Sequence, residues 1–219
     1  MSFLTDSTIS GCYAVSNEGL GGGIYISQND LFYPVDKYDD YNRRGLQAWS
    51  STITGNNAFA GGGVFMNRGL MMFYGCTLSS NYATDEGGGL FASASIVGIW
   101  SSSSVNNNNA NRDGGGVLVT LSTLYVLEST FDSNYGLRGA AIRSRDCRAE
   151  IGENFVVIED STIQNHFSFS AGAVFSEDTT TEHIHTTFDN NIAYRIGGAV
   201  YTRGLTYFHS FGSTYKYNY

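Results

Sequence analysis

A pattern of Ser or Thr, an apolar residue, two variable residues and usually Asn, followed by a Gly/Ala-rich triplet and an aliphatic residue, recurs along the whole chain. Residues 129–144, S-T-F-D-S-N-Y-G-L-R-G-A-A-I-R-S, carry it complete. Other copies lie at 7–27, 51–67, 76–93, 103–120, 161–176 and 186–202, with a half copy at 213–219. Taking the Ser/Thr as a ruler gives Thr8, Thr52, Thr77, Ser104, Thr130, Thr162, Thr187 and Thr214, hence steps of 44, 25, 27, 26, 32, 25 and 27. A period in this range means a solenoid in which each unit buries its apolar face only against its neighbours. Within one period three β-type runs, such as 117–120, 124–128 and 130–133, are separated by Gly, Ser or Asn. The expectation is one all-β domain over residues 1–219, a parallel β-helix of about seven rungs with three short strands per rung.

Composition narrows what such a chain binds. The net charge of −8 leaves no broad basic surface for nucleic acid, which needs clustered Lys and Arg. The exception is local, at Arg138, Arg143, Arg145 and Arg148. No apolar run approaches the ~20 residues of a membrane-spanning helix, and residues 1–6 lack the basic and apolar regions of a signal peptide. Cys12, Cys76 and Cys147 show neither C-x-x-C spacing nor a histidine at ligand spacing, and are read as buried or idle thiols. No cofactor is implied.

Strand alternation assigns faces. Ile24, Val64, Leu90, Val117, Ile142, Val174 and Val200 are expected in one inner stack, and Ile9, Ile53, Leu78, Val105, Phe131, Ile163, Phe188 and Tyr215 in a second. The glycine triplets suit a corner where backbones approach closely or take positive φ; Ala140, Ala141, Ala171, Ala173 and Ala199 in later copies make small size the common property. Asn56, Asn81, Asn108, Asn134, Asn191 and Asn218 share one place in the pattern, with Cys12 and His166 substituting. Asn tolerates left-handed turns and bonds its counterpart one rung away, so these residues are expected to form a structural ladder.

The segments Phe131-x-x-Asn134 with Gly139-Ala140-Ala141-Ile142, and Phe188-x-x-Asn191 with Gly197-Gly198-Ala199-Val200, resemble the F-x-x-N and G-G-A-I repeats of chlamydial polymorphic outer-membrane proteins. The resemblance implies a right-handed parallel β-helix in a secreted or cell-surface protein, commonly an adhesin or passenger domain. It extends as repeats over nearly the whole chain, while neither a C-terminal membrane barrel nor a signal peptide is seen.

Two interruptions of the repeat, at 28–47 and 143–159, are expected to be surface loops. The first carries Asp36, Asp39 and Asp40, a weak calcium alternative without the calcium-binding nonapeptide pattern. On the face beyond the inner stack, Tyr25, Phe65, Phe91, Phe175 and Tyr201 form a candidate binding stripe for glycan or protein, unless a flanking loop covers it. Asp132 and Asp189 stand two rungs apart, ~9.6 Å at ~4.8 Å per rung, near the carboxylate spacing of inverting glycosidases. The expected function is therefore a non-enzymatic structural, adhesive or filament-building element, with glycan cleavage by Asp132 and Asp189 as the alternative. Neither end shows a polar cap, so end-to-end stacking on other copies, or on other segments of one polypeptide, is the expected partnership.

Overall fold

A computed structural model describes residues 2–14, 18–27, 45–147 and 155–219. Every strand pairing in it is parallel, no helix occurs among the described residues, and the chain winds through about six turns of a β-solenoid. The cross-section has four sides rather than three. In one rung the strands Tyr82–Glu86, Leu90–Ser93, Ile96–Trp100 and Ser104–Asn106 follow each other, each belonging to a different sheet, here called C, D, A and B in that order. The added side is sheet C, which runs directly from the Asn position to the glycine corner. Its strands are as short as Asn109–Ala110, too short to show an alternation in the sequence.

The Ser/Thr ruler survives residue for residue: Thr8, Thr52, Thr77, Ser104, Thr130, Thr162, Thr187 and Thr214 pair in one unbroken column of sheet B. The long steps do not disturb it, because both interruptions fall at the same corner, between a strand of sheet D and the next strand of sheet A. Strands Leu46–Trp49 and Ile142–Arg145, with Val156–Glu159, take up their flanks, so the interruptions narrow to the stretches after Ser27 and after Cys147. Asp36, Asp39 and Asp40 lie outside the described residues.

Both expected inner columns form the core, with Val64, Leu90, Val117, Ile142 and Val174 on one side and Leu78, Val105, Phe131, Ile163 and Phe188 on another. Sheet A contributes two more: Ala48, Phe73, Ile99, Val126 and Ile158, and beside them Met71, Val97, Leu124 and Val156. In the last two rungs these sheet A columns turn polar at Thr181, His183 and Ser210.

Each corner is made the same way: one residue with positive φ, followed at three of the four corners by a residue whose side chain bonds the next rung. Ahead of the Asn column the left-handed residues are Gly11, Gly55, Ser80, Asn107, Ser133, Asn165, Asn190 and Tyr217. The asparagines themselves are not left-handed, so the turn falls one residue earlier than their own tolerance of that conformation suggests. At the glycine corner the first residue supplies positive φ, as Gly61 and Gly87 do, and the others supply closeness. A Cβ on Gly62 would stand 2.4 Å from the Tyr82 carbonyl oxygen and 2.5 Å from that of Gly88.

Candidate functional site

The Asn column is a continuous hydrogen-bonded ladder. Cys12 N–H donates to Asn56 Oδ1 at 3.0 Å, Asn56 N–H to Asn81 Oδ1, Asn81 N–H to Asn108 Oδ1 and Asn108 N–H to Asn134 Oδ1. His166 then accepts from Asn134 through Nδ1 at 3.0 Å, Asn191 accepts from His166, and Asn218 from Asn191. Each Asn side-chain NH₂ donates back to a strand carbonyl, as Asn108 does to Leu78 O at 2.9 Å. In the main-chain N–H links all acceptors are δ atoms one rung further toward the C-terminus. From Asn56 to Asn191 the column is buried, so its groups serve the fold and offer nothing to solvent.

Two further ladders went unnoticed in the sequence because their members are Ser, Thr or Cys one residue ahead of a strand. Ser7 N–H donates to Ser51 Oγ, Cys76 N–H to Ser103 Oγ, Ser129 N–H to Ser161 Oγ and Thr186 N–H to Ser213 Oγ. At the D–A corner Ser95 N–H donates to Ser122 Oγ and Cys147 N–H to Thr179 Oγ1. Here every acceptor is a γ atom. The cysteines now have places: Cys76 and Cys147 are buried in the two hydroxyl ladders, and Cys12 heads the Asn ladder, so the three free thiols stand at three different corners. Burial pushes the Cys76 and Cys147 thiols up.

Tyr25, Phe65, Phe91, Leu118, Arg143, Phe175 and Tyr201 pair in one outer column of sheet D. It is not the open stripe expected. Tyr25 is 55% exposed, but Phe65, Leu118, Arg143 and Phe175 are buried. The rings stack at rung spacing, Tyr25 on Phe65 at 5.5 Å and Phe65 on Phe91 at 5.0 Å, with Phe175 against Tyr201 at 5.0 Å. Arg143 fills the column instead of breaking it. Its guanidinium lies 3.9 Å over the Phe175 ring, donates to Ser144 O and pairs with Glu177.

Beside this column lies an ion-pair network formed by the charged residues that directly precede the glycine corners. Asp113 is fully buried and held by Arg138 through two bonds of 2.6 Å; Glu86 is held by Arg112 at 2.7 Å, with Arg145 3.6 Å away. Burial raises the Asp85 carboxyl, and the nearby Arg112 works against that rise. The clue available in the sequence was positional: Glu86, Asp113 and Arg138 occupy the same place in successive repeats.

Asp132 and Asp189 share an outer column of sheet B with Gln164 between them, as their spacing requires. Each already has partners. Asp132 accepts from Ser133 Oγ and Asn165 Nδ2, both at 2.9 Å, and Asp189 pairs with Lys216 at 3.1 Å. A surface cavity of about 340 Å³ lies elsewhere, at the A–B corner between Trp100, Leu127, Glu128, Glu159 and Asp160.

Exposed aromatic surface appears where the sequence reading had not placed it, on the C-terminal half of sheet C. Tyr135 stacks on Phe167 at 5.7 Å, Phe169 on Tyr194 at 5.3 Å, and all four are exposed together with Ile192 and Ile196.

One full ladder step and glycine corner, residues 185–203, matches the Chlamydia polymorphic membrane protein repeat. The match contains Phe188, Asn191, Gly197, Gly198 and Val200, so the repeat resembles that of this family in a chain whose fold is a parallel β-solenoid. No curated protein and no solved structure matches the chain.

Proposed function

We propose, from the polymorphic membrane protein repeat carried by residues 185–203, that this chain is a non-enzymatic structural module of a cell surface, secreted or surface-held, which presents a rigid adhesive face and stacks end to end. The observation that supports this most is the exposed face of sheet C. Tyr135, Phe167, Phe169, Ile192, Tyr194 and Ile196 form a patch on a sheet whose rungs are tied by buried ladders on the adjoining corner. Contiguous exposed apolar surface of this kind marks contact sites. Its occupant on this reading is a surface protein or glycan of another cell. Binding of the purified chain to cultured cells, before and after protease or glycosidase treatment, tests it. Phe167→Ser with Tyr194→Ser is expected to reduce binding by at least about tenfold; unchanged binding would refute the adhesive face.

The alternative, glycan cleavage, draws on the shared column of Asp132 and Asp189. It requires Asp189 to leave Lys216 and Asp132 to leave Asn165. Release of new sugar ends from a polysaccharide panel, abolished by Asp132→Asn, would establish it.

A further inference from the structure

One rung of the solenoid has a polar interior. It consists of Phe167–Ala171 in sheet C, Val174–Glu177 in sheet D, Thr180–Ile184 in sheet A and Thr187–Asp189 in sheet B. Each of these strands is paired on both sides, and the inward residues Ser168, Val174, Ser176, Thr181, His183 and Phe188 are all fully buried. In earlier rungs the place of Thr181 is held by Met71, Val97, Leu124 and Val156, and that of His183 by Phe73, Ile99, Val126 and Ile158. Ser168 pairs one rung earlier with Gly136, which adds no side chain to the interior.

Ser176 is satisfied, because its Oγ accepts from Ser144 Oγ at 3.0 Å. Ser168 Oγ, Thr181 Oγ1 and His183 Nε2 have no partner in the protein. For His183 this holds in either tautomer. If Nδ1 accepts from Tyr215 Oη, 3.1 Å away, Nε2 carries a proton with nothing to receive it; if Nδ1 carries the proton, Nε2 is a bare acceptor. Among the described residues no other rung turns an unpartnered buried polar atom inward, since Trp100, Asn106, Asn109 and Arg143 belong to outward columns. A polar group buried without a partner forfeits its bonds to water, and folded proteins satisfy such groups with internal water.

We infer that this rung is an internal water site, in which ordered water joins His183 Nε2 to Thr181 Oγ1 inside the solenoid and reaches Ser168 Oγ on the facing sheet. The order C, D, A, B round the cross-section puts sheet C opposite sheet A, so Ser168 looks across to the other two. Thr181 and His183 stand two residues apart on one face, about 6.6 Å along the strand. One water bonded to both spans that gap. The ligand is neutral because its site is: two hydroxyls and an imidazole that burial keeps uncharged, with no carboxylate, Lys or Arg among the inward residues of the rung. Water also donates and accepts, as the hydroxyls do. It holds the His183 ring from the side opposite Tyr215. The site is independent of the adhesive face, since Ser168 points inward from the strand whose Phe167 and Phe169 point out.

A high-resolution crystal structure of the unaltered chain is expected to show a solvent oxygen within about 3.2 Å of both His183 Nε2 and Thr181 Oγ1. An interior without it overturns the inference. In solution, oxygen-17 relaxation dispersion counts long-lived waters. The count is expected to fall when Ser168→Ala, Thr181→Val and His183→Ile together restore the residue types of Ala110, Val156 and Ile158 in earlier rungs; an unchanged count overturns the inference. Thr181→Val alone, shaped like the Val156 it pairs with, guards against a triple variant that does not fold. With water in place it removes a bonded hydroxyl and lowers the urea midpoint, whereas in a dry interior it removes an orphan hydroxyl. A midpoint unchanged or raised therefore also overturns the inference.

Discussion

The main-chain N–H of Asn134 donates to Nδ1 of His166 over 3.0 Å, which puts one imidazole into a column whose other acceptors are amide oxygens. The bond needs the neutral ring, because imidazolium has no acceptor. Burial pushes His166 down to about 4 from 6.5, against the opposing pull of the Asp132 carboxylate. His183, buried between Phe188 and Phe208 with Tyr215 Oη 3.1 Å from Nδ1, is pushed down to about 3. An unfolded chain takes up protons on both rings below about pH 6.5, whereas the folded chain refuses them until about pH 4. Stability is therefore fully present above pH 6.5 and falls as the pH drops from there toward 4. Replacing His166 by Asn is expected to recover roughly 3 kcal/mol at the acid end and nothing at neutral pH from this source. Urea unfolding along a pH series measures it; identical acid limbs for the two proteins would count against a neutral His166.

The mid-ladder asparagines should be among the costliest side chains to remove. Asn108 accepts from the N–H and the Nδ2 of Asn81 and donates to Leu78 O and Asn134 Oδ1, all inside the protein. Asn108→Ala leaves a buried N–H and a buried carbonyl unpaired, a loss of about 3 kcal/mol or more. Chemical denaturation reads this, and a loss below 1 kcal/mol would show that water replaces the ladder.

Left-handed corners held by ordinary residues store strain. Leu121 has φ +50° and is 53% exposed, so it pays for a conformation glycine adopts freely while burying little. Leu121→Gly is expected to stabilise by up to about 1 kcal/mol, the steric relief exceeding the added backbone entropy. A thermal melt that moves down instead would contradict it.

Closeness at the glycine corner makes the opposite prediction one rung away. A Cβ on Gly88 would lie 2.4 Å from the carbonyl oxygens of both Asn109 and Gly115, atoms fixed in the sheets. Gly88→Ala is expected to cost about 2 kcal/mol or more, read as a lowered denaturation midpoint. Ala140, at the equivalent place in a later rung, shows that the corner accepts a methyl only where the neighbouring backbone is built around it.

The repeat made the architecture legible because a solenoid is a one-dimensional object: each residue's environment is set by the residue one period away. Thr130 finds Ser104 and Thr162, and Asn108 finds Asn81 and Asn134, from spacing alone. The short strands of sheet C and the hydroxyl ladders escaped notice, since two-residue strands show no alternation and a Ser before a strand looks like an ordinary turn residue.

What the sequence by itself determined was the period, the register, two of the core columns and the Asn column, all of which follow from the spacing of residue types along the chain. Only the tertiary structure decided which outward residues meet solvent. Phe65 and Phe175 were expected in an open stripe and are covered, while Phe167 and Tyr194 lie open on the added fourth side. Exposure depends on where a long side chain such as Arg143 lies and how many sides the cross-section has. The direction of the ladders likewise appears only once each donor is seen beside its acceptor.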